Sequence, residues 1–158
     1  MSSHRSNEHL NRKMMKDHVF MEIAVTLGKL GTCDRARVGA VLTKDGRCVS
    51  WGFNGAPPGL PHCADNDHGW RGTQRPQDIE IHGCVNATHA EANALAFAAR
   101  QGISTDDSTL YVERSPCVDC ARLLIAVGIK RVVYLVPYRD HSGEDLLREA
   151  KVVVECLT

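Results

Sequence analysis

The sequence lacks an excess of either charge. Nineteen lysines and arginines stand against nineteen aspartates and glutamates, so the 158 residues carry no formal net charge. Non-specific affinity for nucleic acid comes from surplus basic residues. The balance speaks against a general polyanion binder and leaves room for one phosphorylated small molecule held by a few local arginines. Also missing is any apolar run near the ~18–20 residues of a membrane span. The start, Met1-Ser2-Ser3-His4-Arg5, has no apolar stretch of the secretory kind, and the expected compartment is the cytoplasm. There is no internal repeat and no low-complexity segment. Disulfides are rare in a reducing compartment; seven cysteines, an odd count, with eight histidines point instead to metal. What remains is ordinary: 43% hydrophobic and 24% charged residues suit a globular domain. The length fits one domain with a core large enough to need no covalent staples.

Residues 1–10 are polar and without period, and read as a flexible tail before one domain over 11–158. Met15, Val19, Ile23, Leu27 and Leu30 follow a helical step that Gly31 ends. Val38–Leu42 and Arg47–Phe53 read as strands around Asp45-Gly46, a strong hairpin turn. Residues 54–75, rich in Gly, Pro, Asp and His, read as loop. Thr88–Arg100 is an alanine-rich helix stopped at Gly102. Strand 109–112, helix 118–127, strand 132–136, helix 141–149 and strand 152–155 follow. A helix, a hairpin and then alternating helices and strands imply an α/β sheet with helices on both faces.

Two short motifs carry chemistry. His89-Ala90-Glu91 opens the alanine-rich helix, and Pro116-Cys117-Val118-Asp119-Cys120 opens the next. Cys117 and Cys120 are three apart, so their sulfurs share one face of a first helical turn. Pro116 suits a helix entrance. The positive end of each helix favours thiolate over thiol. One imidazole and two thiolates leave a tetrahedral zinc with an open position, the mark of a catalytic rather than a structural site. Glu91 would stand beside that position as a base, not as a ligand. A Cys-x-x-Cys alone is often a structural half-site or redox pair. Together, His-x-Glu and Pro-Cys-x-x-Cys form the signature of the zinc deaminases.

With these motifs in place, the chain resembles the cytidine deaminase superfamily from about Leu27 onward. Within it, the chain is most similar to the deoxycytidylate (dCMP) deaminases of the competence-operon and phage types. The residues that carry the likeness are Arg37-Val38-Gly39-Ala40-Val41, Gly52-Phe53-Asn54-Gly55 with Pro57 or Pro58 behind, His89-Ala90-Glu91-Ala92-Asn93-Ala94, Ser115-Pro116-Cys117-Val118-Asp119-Cys120 and Gly128-Ile129-Lys130. The resemblance implies a three-layer α/β/α sandwich with a mixed five-stranded sheet, and a homo-oligomer, hexamer or dimer. It implies hydrolysis of a deoxycytidine nucleotide, most readily dCMP to dUMP and ammonia, with nucleoside triphosphates as effectors. Deamination of dCTP, of another nucleobase or of tRNA adenosine, and a zinc-stabilised binding module without chemistry, are the alternatives.

The same resemblance implies residue roles. Glu91 is the catalytic acid–base, and His89, Cys117 and Cys120 hold the catalytic zinc. Asn54, Ala90, Ser115 and Tyr138 contact the nucleoside, and Arg100 reaches the phosphate. Cys33, Cys63, His68 and Cys84 form a second, structural zinc site, with His82 and His62 as alternative fourth ligands. Glu113-Arg114 stands where the family usually has Thr-Leu and brings two charges near the site. The loop from Asn66 to Asn86 has its own length and composition.

Overall fold

A computed structural model describes residues 2–63, 65, 84 and 86–158. The described elements are α1 (Ser2–Gly28), β1 (Gly39–Lys44), β2 (Arg47–Phe53), α2 (Ala90–Arg100), β3 (Thr109–Arg114), α3 (Val118–Ala126), β4 (Arg131–Val136), α4 (Ser142–Glu149) and β5 (Val153–Cys156). The strands form one sheet in the order β2-β1-β3-β4-β5. β1 pairs antiparallel with both β2 and β3, while β3, β4 and β5 run parallel. The sheet is thus mixed and five-stranded, as the resemblance implied. At the hairpin Asp45 and Gly46 both have positive φ, 51° and 72°, the conformation that a two-residue turn matched to strand twist requires.

Strand alternation sorts the core into two layers. Ala40, Leu42, Leu110, Val112, Val132 and Tyr134 face α2, α3 and α4 and pack on Ala94, Leu124 and Leu147. The intervening Val41, Tyr111 and Val133 face the other way and pack on Met21 and Ala24 of α1. One helix on one face and three on the other give the expected α/β/α sandwich. α2 is tied to β2 by polar bonds as well: Ser50 Oγ donates to the Ala94 carbonyl at 2.6 Å, and Asn93 Nδ2 to the Phe53 carbonyl at 2.6 Å. These bonds fix the start of α2, where the motif lies.

α1 departs from expectation twice. It begins at Ser2, so the tail expected over 1–10 is helical from its second residue. No proline interrupts 2–28, extending a formed helix adds one hydrogen bond per residue fixed, and an exposed Glu8–Arg12 pair at 3.0 Å spans one turn. The second departure is the packed face. Met15 is 67% and Val19 47% exposed, whereas Asp17, Met21 and Ala24 are buried. The helix therefore turns Asp17, Met21 and Ala24 to the sheet, with Phe20, Val25 and Leu27 beside them. Close approach explains the choice, since a Cβ on Gly39 would collide with the Ala24 carbonyl oxygen. Asp17 is the polar anchor of that face. Arg131 donates to its two oxygens at 2.7 Å each, and the Tyr111 hydroxyl donates at 2.7 Å.

No helix among the described residues is long and apolar enough to cross a membrane.

Candidate metal centre and active site

The helix of the first motif starts at Ala90, two residues later than the expected Thr88. His89 is extended (φ −67°, ψ 154°) and caps α2, held by the bridge that Thr88 makes with Gly55. Cys117 is likewise extended (φ −68°, ψ 168°) and caps α3. Two residues apart on a regular helix would point His89 and Glu91 in different directions. An extended His89 before a helical Glu91 brings both to the same point. Cys120, in the first turn of α3, completes the group.

His89 Nδ1 lies 3.5 Å from Cys117 Sγ and 3.4 Å from Cys120 Sγ. Zinc bonds of about 2.3 Å to sulfur and 2.0–2.1 Å to nitrogen, at a tetrahedral angle, set nitrogen and sulfur roughly 3.5 Å apart. The donor set and its spacing fit zinc. The three groups share protons among themselves. A hydrogen bond from Cys120 outweighs burial and, with one from His89, pulls the Cys117 thiol down to about 4. The same bond to Cys117 lifts His89 to about 9 against its burial, and donating to Cys117 pushes Cys120 up. A dication takes the place of such shared protons, which is why its binding releases them. Glu91 sits beside the set, buried. Burial pushes its carboxyl up, and His89 pulls it partly back.

Of these groups, His89, Glu91 and Cys117 line a cavity of about 270 Å³. Of the expected substrate contacts, Asn54, Ala90, Ser115 and Tyr138 line it; Arg100 does not. Arg100 ends α2, about 15 Å along the helix from the site at 1.5 Å per residue. The expected phosphate contact from Arg100 is therefore not made within this cavity of the single chain. Among the described residues, the arginines that line the cavity are Arg35, Arg114 and Arg139. Only Arg114 was signalled by sequence, as a charge next to the metal motif. Arg35 precedes β1 and Arg139 follows Tyr138, in loops whose course no local pattern announces. The Asn54 side chain is engaged with the cavity's own wall: Oδ1 accepts from Val38 N–H at 2.8 Å and Nδ2 donates to the Ala36 carbonyl at 2.6 Å.

A second cluster adjoins the first. The sulfurs of Cys33, Cys63 and Cys84 all lie within 4.8 Å of one another. Burial and the neighbouring thiols push Cys63 up to about 12, and burial raises Cys33. Cys33 and Cys84 also line the cavity, so one wall of the candidate active site is this thiol cluster. His68 and His82 lie outside the described residues; His62 is exposed.

The comparisons with known proteins agree with this geometry. The family model for the cytidine and deoxycytidylate deaminase zinc-binding region matches residues 14–136. The deoxycytidylate deaminase of Enterobacteria phage T4 is 35% identical over 172 residues, covering 89% of each chain. ComE operon protein 2 of Bacillus subtilis is 35% identical over 137 residues, 86% of this chain and 68% of that one. Among solved structures, the dCMP deaminase of cyanophage S-TIM5 in complex with dCMP and dUMP superposes with a TM-score of 0.73 at 33% identity, covering 88% of this chain and 94% of the other. The fold, the two-helix metal set and these relatives lead to one conclusion: the chain belongs to the cytidine and deoxycytidylate deaminase family.

Proposed function

We propose that the chain is a zinc-dependent hydrolytic deaminase that converts dCMP to dUMP and ammonia. The observation that carries this reading is the tetrahedral spacing of His89, Cys117 and Cys120 beside a buried Glu91, on the floor of a cavity that three arginines line. A 5′-phosphate is the group such a rim fits. The phage T4 relative is a deoxycytidylate deaminase, and the cyanophage neighbour holds dCMP and dUMP.

Bound by His89, Cys117 and Cys120, zinc supplies the acidity that brings the pKa of a coordinated water from ~15.7 towards ~7. The residues of the chain do the rest. The Glu91 carboxylate takes a proton from the attacking water and delivers it to ring N3 as oxygen adds at C4. Glu91 then carries the remaining proton of the added hydroxyl to the exocyclic amine, so that the C4 carbonyl forms as the C4–N bond breaks and ammonia leaves. The rate comes from complementarity to the tetrahedral centre rather than to the planar ring. Tyr138 and the Ala90 backbone hold the base, Asn54 and Ser115 shape the sugar end, and Arg35, Arg114 and Arg139 hold the phosphate. Ammonia release measured across dCMP, dCTP, deoxycytidine and cytosine tests the assignment, with dCMP expected to react fastest.

Three further parts complete the proposal. Cys33, Cys63 and Cys84 hold a second, structural zinc with a histidine, His68 first among the candidates. The thiol spacing supports this, since such a set closed by an imidazole is of the structural kind. Copies of the chain associate, a reading supported by the exposed apolar residues Leu10, Met14, Met15, Val19 and Ile23 along α1. Nucleoside triphosphates act as effectors, and the working compartment is the cytoplasm.

A further inference from the structure

Residues 32–38, between α1 and β1, lie outside helix and strand, yet they bring Cys33, Arg35, Ala36 and Val38 to the cavity. A segment without a ladder of its own must find partners for its backbone elsewhere. Here one residue, Asn54, supplies four. Buried one residue past β2, its carbonyl accepts from the Thr32 N–H at 3.1 Å, and its N–H donates to the Val38 carbonyl at 3.0 Å. The side chain adds two more: Oδ1 accepts from the Val38 N–H at 2.8 Å, and Nδ2 donates to the Ala36 carbonyl at 2.6 Å. The neighbours of Asn54 hold the other half of the site. The Phe53 carbonyl accepts from Asn93 Nδ2 at 2.6 Å. Gly55 exchanges backbone bonds with Thr88, at 3.1 and 2.8 Å, one residue before His89. Residues 53–55 therefore join the Arg35 segment to the start of the helix that carries Glu91.

We propose that Asn54 is a positioning residue for phosphate recognition, holding Arg35 in register with His89 and Glu91. The phosphate and the reacting carbon of a nucleotide are a fixed length apart, so the cation and the acid–base must be set against each other before substrate arrives. A carboxamide suits the task because it offers an acceptor and a donor on one planar group. Here the acceptor meets the Val38 N–H and the donor meets the Ala36 carbonyl, next to Arg35. Alanine at position 54 keeps the two backbone bonds and removes both side-chain bonds. Arg35 then loses its registration, while Glu91 stays held through Asn93 and Thr88. The effect is felt through the phosphate, which separates it from a direct contact between Asn54 and the sugar.

This inference rests on the dCMP reading for its kinetic test, so the experiment has an arm that does not. In zinc-loaded Asn54→Ala protein, NMR hydrogen exchange of the Val38 amide should accelerate about tenfold, the loss of one hydrogen bond. Amides of α3 and β4 should keep their wild-type rates. The ratio of kcat/KM for dCMP to that for deoxycytidine should fall about tenfold, the low end for a displaced charge-assisted contact. Arg35→Ala should lower the same ratio, and adding Asn54→Ala to it should lower it no further, as expected when one residue acts through the other. A direct sugar contact weakens both substrates alike, since both carry that sugar, and an unchanged ratio overturns the proposal. So do unchanged Val38 exchange and effects of the two substitutions that simply multiply. Should the alanine protein not fold, Asn54→Ser, which keeps a polar group at the buried position, is read in the same way. Failure of the wild-type protein to deaminate dCMP overturns the substrate assignment alone, because the Val38 exchange result stands without it.

Discussion

Glu113 and Arg114 are neighbours in sequence that serve opposite sides of the sheet. Glu113 Oε2 accepts from the Gly39 backbone N–H at 2.9 Å, beneath α1, while Arg114 lines the cavity. The alternation of β3 separates them, so the two charges that break the family pattern have different work. Glu113 ties β3 to β1. Arg114 is placed to meet a phosphate.

Replacing Arg114 with alanine should weaken dCMP and spare deoxycytidine, which lacks the phosphate. A charge-assisted contact is worth about 1.5–3 kcal/mol, or roughly ten- to a hundredfold in kcat/KM for the nucleotide. Arg100→Ala, outside the cavity, should leave the ratio of the two substrates at its wild-type value. Steady-state kinetics on both substrates decide this, and a nucleotide-selective loss in the Arg100 variant would reverse the assignment.

The second metal reading is tested by composition. Purified protein should contain close to two zincs per chain. Cys63→Ser should lose one of them, melt at lower temperature and keep the zinc of His89, Cys117 and Cys120. Because Cys33 and Cys84 line the cavity, its KM for dCMP should rise too. One zinc in the parent protein would remove the structural site and leave the catalytic one untouched.

The Asp17–Arg131 pair makes a statement about acid. Burial raises the Asp17 carboxyl, but bonds from Arg131 and Tyr111 more than reverse this and hold it below its usual value. A group depressed on folding contributes stability that is complete above its unfolded pKa of about 3.9 and is lost as pH falls through the folded value. Asp17→Asn should therefore be less stable at neutral pH, by about 3 kcal/mol. That is the low end for a broken buried pair, since Arg131 keeps Glu155 at 2.6 Å. Its melting temperature should also fall less between pH 5 and pH 3 than that of the parent. Equal acid sensitivity in the two proteins would show that Asp17 is not the responsible group.

Local signals were readable in the sequence, and choices made by tertiary packing were not. The Asp45-Gly46 turn, the strands and the two motifs each rest on a few adjacent residues, so spacing alone placed His89, Glu91, Cys117 and Cys120. The packed face of α1 was hidden, because its regular apolar stripe at Met15, Val19 and Ile23 is the exposed side. What fixes the packed face is how closely Ala24 approaches Gly39, a contact between residues far apart in the chain. Motif likeness carries no information on how far a helix runs, so the place of Arg100 at the far end of α2, off the cavity lining, was not readable either. Arg35 and Arg139 reach the rim through loops, and buried Glu144 gathers Tyr134, His141 and Arg148 from two elements. These depend on several elements meeting.

The most direct measurement of the central claim is dCMP turnover by zinc-loaded Glu91→Gln alongside its metal content. The ligands are untouched, so both proteins should carry the same zinc and the same fold. General acid–base catalysis is typically worth ~10²–10⁴-fold, and Glu91 serves more than one proton transfer here. The account predicts dUMP and ammonia from the parent protein and a loss of at least about a hundredfold in the variant. Turnover within a few-fold of the parent, at equal zinc, would contradict it.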